Sequence, residues 1–367
     1  MNVLVLGSGG REHSICENIK KYKKINNLYC APGNGGISKI AKCNQLNINN
    51  NAEVIDFCIK NKIDLVIPGS EEQLARGISD DLRLSGIKVF GPSKNGSKLE
   101  SSKIFTKKIC KLGNIKTASW KVMKNYKEAK KSLSSFKFPI VIKLDQLASG
   151  KGVLVANNRN DANNFLKKIE LGKIGKKDSK IIIEKKLVGK EASFFFLVDG
   201  KKSKFLGSAQ DYKRVGDNNT GLNTGGMGCI SPSSFENKNN IALINKDFIK
   251  PTIKAMNDLG YPFKGILYAG LMFTKSDIYL IEYNIRLGDP ECQAIMSRLK
   301  NNFLDLCLAT EKNKMEKIRL KIENKVSICI VLASKGYPEN YKLGHIINGL
   351  ENFRNKNSAS IYHAGLK

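Results

Sequence analysis

Short runs of Val, Leu and Ile alternate with longer mixed stretches over the first hundred residues. Residues 3–6 (VLVL), 27–31, 64–68 and 88–91 each form a brief apolar run bounded by turn residues, and each predicts a buried strand. Helices are predicted between them, from about residue 13, over 52–60 and over 71–84. Strands and helices in strict alternation predict a parallel sheet covered by helices, whose ligands sit at the carboxyl ends of the strands. Beyond residue 100 the order changes. Strands are predicted over 139–143, 153–156, 180–184, 193–198, 204–208, 266–273 and 278–283, spaced so that antiparallel pairs form. The lysine-rich stretch 167–180 reads as a solvated surface loop, and a further segment opens with a strand over 326–332.

Composition narrows the function classes. With 41% hydrophobic residues in 367, the chain can bury more than one core. No run approaches the roughly 18 apolar residues of a membrane span, so the chain reads as cytoplasmic with no membrane partner. Nine cysteines occur without a C-x-x-C pair, beside only three histidines, which argues against a zinc site or a disulfide framework. The net charge of +29 raises nucleic acid as a partner. The lysines, however, are spread through almost every segment, with no arginine-rich arm, zinc finger or aromatic RNA motif. Such a charge favours small anionic substrates within a Debye length of roughly 8 Å, and no nucleic-acid partner is expected.

Three motifs carry chemistry. In LGSGGREH, residues 6–13, glycines between a strand and a helix start let backbone N–H groups approach an anion. Glu12 stands where a dinucleotide fingerprint needs its third glycine, so a smaller phosphate is the better fit, with a plain tight turn as the alternative. APGNGG (31–36) and PGSEEQL (68–74) leave the sheet on the same edge. In PIVIKLDQLASGKGVLVAN, residues 139–157, a strand carries Lys143 into a small-residue loop and a second strand returns. That is not a Walker loop. It suits a flap over a nucleotide, with Lys143 as a point charge on phosphate. In LIEYNIRLGDPE, residues 280–291, Glu282, Asn284 and Arg286 are spaced by two and share one strand face, while Ile281, Tyr283 and Ile285 point to the core. Glu and Asn offer the hard oxygens Mg²⁺ accepts, and Arg can hold a phosphoryl group. The alternative is an exposed strand face with an incidental ion pair.

These motifs, with LESSKIFTK, EASF, QDYKRVGDNNTGLNTGGMG (210–228) and GILYAGLM, stand in the order and near the spacing of the phosphoribosylamine-glycine ligase (glycinamide ribonucleotide synthetase) family, which the chain resembles from residue 2 onward. The resemblance implies an α/β and α+β multidomain fold. A Rossmann-like parallel-sheet N-terminal domain would span 1–100, an ATP-grasp domain 101–322 with a glycine-rich lid at about 120–190, and the start of a C-terminal domain 323–367. It also implies a monomer that joins glycine to 5-phosphoribosylamine with ATP as co-substrate and Mg²⁺ or Mn²⁺ as metal, through glycyl phosphate. By the same resemblance, Lys103 and Lys143 touch ATP phosphates under a lid that includes Ser149, Gly150, Lys151 and Gly152. Glu184 to Leu187 form the adenine hinge, and Glu191 holds the ribose. Glu282 and Asn284 bind metal, Arg286 steadies the transferring phosphoryl group, and Gly7, Ser8, Gly9 and Gly10 take the ribosylamine phosphate. Asp211, Lys213, Arg214 and Asp289 belong to the glycine and acyl-phosphate pocket.

The chain departs from the family pattern at Gly69–Leu74 and at Leu144–Gly152, keeping the glutamate, the lysines and the key glycines. Gly270 stands where many related ATP-grasp enzymes place a third metal carboxylate. The chain ends at YHAGLK, where the family continues, so the C-terminal unit reads as incomplete. Two other readings remain: a different ATP-grasp carboxylate-amine ligase or carboxylase, and a nucleotide-binding remnant without full activity.

Overall fold

The computed structural model describes residues 1–148, 151–350 and 359–366. Five strands form the first sheet: β1 (Asn2–Gly7), β2 (Asn27–Pro32), β3 (Lys42–Cys43), β4 (Leu65–Pro68) and β5 (Lys88–Val89). All pair in parallel, in the order β3-β2-β1-β4-β5. Alternation sorts the β1 side chains to two faces: Val3 and Val5 enter one buried cluster, Leu4 and Leu6 the other. Both faces are covered, as a parallel sheet requires. The strand order switches direction between β1 and β4, and the loops leaving those two strands flank the crevice where ligands of such sheets bind.

Two expectations need correction here. The helix predicted over 71–84 is two helices, Glu71–Arg76 and Ile78–Leu84, because Gly77 at φ +98° takes a left-handed turn between them. The two-residue strand β3 carries no apolar run and was not legible.

A four-stranded antiparallel sheet follows, built from β6 (Trp120–Met123), β7 (Ile140–Leu144), β8 (Val153–Ala156) and β9 (Ile181–Lys185) in the order β6-β9-β7-β8. It has its own core, in which Ile140, Ile142, Ile181 and Ile183 meet Phe165, Leu166 and Ile169 of the helix Arg159–Glu170. That helix takes in the first residues of the stretch expected as loop over 167–180, since Phe165, Leu166 and Ile169 give it an apolar face.

The largest sheet holds six strands: β10 (Lys190–Asp199), β11 (Ser203–Gly216), β12 (Thr220–Ser231), β13 (Lys264–Phe273), β14 (Ile278–Asn284) and β15 (Ser327–Ile330), in the order β14-β13-β10-β11-β12-β15 and antiparallel throughout. Its centre is β10. Phe194, Phe196 and Val198 pack into the cluster shared with Leu4 and Leu6, while Phe195 and Leu197 pack into the cluster shared with Val3 and Val5. Each buried phenylalanine contributes about 1.5–3 kcal/mol of transfer free energy, so the first and third sheets are held as one continuous interior. Residues 210–228, for which no strand is predicted, are most of a long hairpin. Gln210, Asp211 and Tyr212 pair with Ile230, Cys229 and Gly228, and the ladder slips twice before the turn at Asp217–Asn219. Glycines and polar residues hid the strands, because the period-two apolar signal is absent there.

Candidate active site

One large cavity opens between the three sheets, and the groups singled out in sequence converge on it. Lys103, Lys143, Glu184, Leu187, Glu191, Asp211, Lys213, Arg214, Glu282, Asn284, Arg286 and Asp289 all line it. At its centre is Glu282 on β14. Burial pushes this carboxyl up, but the ammonium groups of Lys213, Lys143 and Lys103, with Arg286, outweigh that and hold it below the usual carboxylate range. Asn284, two residues on, is on the same strand face and nearly fully buried. Arg286 lies two residues past the end of β14, in a bend, so the strand face expected for Glu282, Asn284 and Arg286 stops at Asn284. Its Nε donates to Glu71 Oε2 and its Nη2 to Glu100 Oε1, both at 2.9 Å.

Neither Glu71 nor Glu100 was singled out for this role from sequence. Glu71 comes from the exit of β4, Glu100 from the short helix Lys98–Ser101, and Glu100 Oε2 also accepts the Ile285 N–H at 2.8 Å. Two carboxylates share one guanidinium, so they titrate differently. Burial raises Glu71, yet Arg286 outweighs it and the group ends below its ordinary value, while burial carries Glu100 up to about 7. The glutamate of PGSEEQL was visible in sequence as a motif residue, but its partner 215 residues away was not.

On the nucleotide side, the helix Lys103–Leu112 starts at Ser102, whose Oγ accepts the Phe105 N–H and donates to Asp145 Oδ1. Asp145 also accepts the Ile104 N–H. The first turn of this helix is thereby tied to the loop that joins β7 to β8, and Lys103 Nζ donates to the Gln146 carbonyl at 2.9 Å. Lys151 is exposed, and the Gly152 carbonyl accepts the Leu144 N–H at 2.8 Å, closing the base of this hairpin. Ser149 and Gly150 lie outside the described residues. Residues 186–188 lie outside any strand between β9 and β10 and line the cavity. Glu191 is exposed at the start of β10.

The hairpin β11–β12 supplies the other wall. Asp211 is nearly fully buried with Oδ1 unpartnered, and burial together with the charge of Glu291 pushes its carboxyl up to about 8. Lys213 Nζ stands 3.9 Å from Asp211 Oδ2. Glu291, the last residue of the motif LIEYNIRLGDPE, accepts from Tyr268 Oη at 3.1 Å, and Tyr268 Oη accepts from Ser193 Oγ at 2.7 Å. Arg214 is spent differently: it is exposed and donates from Nη1 to the Gly221 carbonyl across the hairpin at 2.7 Å. Gly226 marks where the hairpin meets the loop of Asp289. Its φ is +137°, and a Cβ there would lie 2.5 Å from Pro290 Cδ and 2.9 Å from Asp211 Oδ1.

The loop after β1 is already furnished with a carboxylate. Gly9 caps the helix Gly10–Lys20, and its N–H donates to Glu12 Oε2 at 2.7 Å. Arg11 pairs with Glu12 Oε1 at 2.6 Å. An anion at Gly7, Ser8 and Gly10 would therefore share this helix start with Glu12, with Arg11 beside it. Asp289 accepts from Gln293 Nε2 at 2.7 Å next to the same turn. The C-terminal segment returns here: Asn34 Nδ2 donates to both the Ser8 and His363 carbonyls, and the His363 N–H donates to His13 Nδ1.

Sequence profiles of phosphoribosylglycinamide synthetase match in two consecutive blocks, the N domain over residues 1–100 and the ATP-grasp (A) domain over residues 101–292. The phosphoribosylamine–glycine ligase of Brucella melitensis is 41% identical over 365 residues, covering 100% of this chain and 86% of that protein. The protein of the same name from Mesorhizobium japonicum is 43% identical with the same coverage. Among solved structures, the phosphoribosylamine–glycine ligase of Thermotoga maritima superposes with a TM-score of 0.80 at 30% identity, over 93% of this chain and 83% of that one. Biotin carboxylase from Campylobacter jejuni shares the fold alone, with a TM-score of 0.67 at 16% identity over 89% of this chain and 74% of that one.

Proposed function

This chain belongs to the phosphoribosylglycinamide synthetase family, and from that membership we propose that its site joins glycine to 5-phosphoribosylamine at the expense of ATP, a step of purine biosynthesis. A carboxylate oxygen of glycine attacks the γ-phosphorus of ATP, ADP leaves, and glycyl phosphate forms. The amine nitrogen of phosphoribosylamine then attacks the acyl carbon, the carbon–oxygen bond to phosphate breaks, and the amine gives up a proton as the amide forms. The products are glycinamide ribonucleotide, ADP and phosphate. A carboxylate needs this activation because its own oxygen is a poor leaving group, and the acyl phosphate must be kept from water.

The observation that carries the reading is the convergence of Lys103, Lys143, Lys213 and Arg286 on the single carboxylate of Glu282 inside one cavity. These cations are shared with Glu71, Glu100 and Glu184 as well, and they present ammonium and guanidinium groups to one cavity where phosphate oxygens can bind them. Lys103 and Lys143 hold the β- and γ-phosphates. Arg286, fixed by Glu71 and Glu100, faces the transferring group, and residues 184–187 take the adenine. Asp211, with Lys213 near it, orients glycine. Glu191 holds the ribose, and the turn Gly7–Gly10 with Arg11 receives the phosphate of the ribosylamine. Arg214, turned across the hairpin, stiffens β11–β12 over the acyl phosphate.

Glu282 and Asn284 offer one carboxylate and one amide oxygen. Among the described residues no group of three or more His, Cys, Asp or Glu side chains is placed to hold a metal. That donor set fits Mg²⁺ or Mn²⁺, which takes few protein oxygens and completes its shell with nucleotide phosphates and water. When bound there it would neutralise phosphate charge. A cytoplasmic setting fits the nine free thiols, and no helix among the described residues is long and apolar enough to cross a membrane.

The test is ADP formation by the purified chain with substrates omitted one at a time. Turnover is expected only with ATP, Mg²⁺, glycine and freshly made phosphoribosylamine together. Equal turnover with other amino acids, or with bicarbonate in place of glycine, would overturn the assignment.

A further inference from the structure

One of the most deeply buried cations in the cavity wall has no part in the chemistry above. Lys107 is one helical turn after Lys103 on the helix Lys103–Leu112, so both ammonium groups face the same cavity, yet Lys107 is only 3% exposed. Its Nζ donates to Thr117 Oγ1 at 2.6 Å and forms an ion pair with Glu184 Oε1 at 2.8 Å, without hydrogen-bond alignment. The other oxygen of that carboxylate, Oε2, is 3.0 Å from Lys143 Nζ. Glu184 and Lys143 are diagonal neighbours across β9 and β7, since Val141 pairs with Glu184 and Lys143 with Ile182. A single buried carboxylate is thus held between two ammonium groups, one from the helix and one from the sheet.

We propose that Lys107 is a positioning residue for Lys143: it occupies one oxygen of Glu184, so that Lys143 is tethered by the other oxygen alone and keeps its charge for the nucleotide phosphates. The proposal rests on the reading that Lys143 contacts phosphate. With Lys107 present the three side chains carry a net charge of plus one. Without it, Glu184 and Lys143 cancel, and a buried carboxylate with a free oxygen draws the ammonium into a two-oxygen pair away from the cavity. Lys143 Nζ also donates to the Ile281 carbonyl at 3.3 Å, next to Glu282, so its displacement would reach the centre of the site.

The test compares dissociation constants of ADP and adenosine, by calorimetry on the full chain. Lys107→Met is expected to weaken ADP by about tenfold or more, with adenosine within twofold, because only the phosphate contact depends on Lys143. Adding Glu184→Gln is expected to restore the ADP preference, since no carboxylate remains to capture Lys143. That double variant removes a buried cation and a buried carboxylate together and leaves Lys143 with the Ile281 carbonyl and the charge of Glu282, so it stays informative where the single variant is unstable. Equal weakening of ADP and adenosine by Lys107→Met, or failure of Glu184→Gln to recover the preference for ADP over adenosine, would overturn the proposal. Lys143→Met separates the two levels. If it leaves the ADP preference intact, the phosphate role of Lys143 fails. If it abolishes the preference while Lys107→Met leaves it intact, only the role of Lys107 fails.

Discussion

Replacing Arg286 with methionine removes the cation that both Glu71 and Glu100 bond at 2.9 Å and leaves a partly buried and a buried carboxylate facing each other. Breaking a buried pair in this way costs about 3–5 kcal/mol of stability. The cost depends on pH through Glu100. Its carboxyl is held at about 7 in the folded chain against an ordinary 4.5. Between those values the folded state keeps a proton the unfolded state has lost, so stability falls as pH rises through that window and is level below it. Two and a half units at about 1.4 kcal/mol each amount to roughly 3.5 kcal/mol. Arg286 pulls Glu100 down, so its removal lifts the carboxyl further and extends the falling window above pH 7. Urea denaturation at pH 5 and pH 8 should therefore show a larger loss for Arg286→Met at pH 8. Turnover at pH 8 should fall on the order of a hundredfold or more, with nucleotide binding affected far less. Adding Glu100→Gln removes the buried charge and should recover much of the stability and flatten its pH dependence, but none of the turnover. Turnover within threefold of the parent, or turnover that returns with Glu100→Gln, would refute the role of Arg286 at the phosphoryl group.

Three further outcomes are expected. Glu282→Gln should raise the Mg²⁺ concentration needed for half-maximal turnover by on the order of tenfold or more, while ADP binding without metal changes little; titration of activity against Mg²⁺ reads this. Gly226→Ala puts a side chain at φ +137° and a Cβ 2.5 Å from Pro290 Cδ, which should cost about 1–3 kcal/mol or more in thermal denaturation and raise KM for glycine as Asp211 is pushed aside. Because the Asp211 carboxyl lies up at about 8, its ionised form is filled only above that pH; kcat/KM for glycine should climb between pH 7 and 9, and Asp211→Asn should flatten the profile.

The strands of all three sheets were legible wherever apolar residues ran continuously or alternated, as in β1, β10 and β13. They were hidden where glycines and polar residues replaced that pattern, as in the hairpin β11–β12, whose pairing is set by cross-strand backbone bonds and by contact with the Asp289 loop. The Glu282–Asn284 face was legible because spacing by two places side chains on one side of a strand whatever surrounds it, whereas Arg286 lies past the strand's end and reaches the cavity from a bend. The partners of these residues were not. Glu71 and Glu100 reach Arg286 from the first hundred residues, and only tertiary packing brings them there across 215 and 186 residues. The loop after β1 shows the reverse limit: its glycines read as an open anion cradle, whereas Glu12 already takes the Gly9 N–H.

The most direct test of the account follows oxygen from glycine carboxylate labelled with ¹⁸O. If glycine is activated as its acyl phosphate, one carboxylate oxygen leaves with phosphorus when the amine attacks, so one labelled oxygen should appear in the released inorganic phosphate for each amide formed. Phosphate that carries no label while glycinamide ribonucleotide accumulates would contradict the glycyl-phosphate route and the assignment of the site built on it.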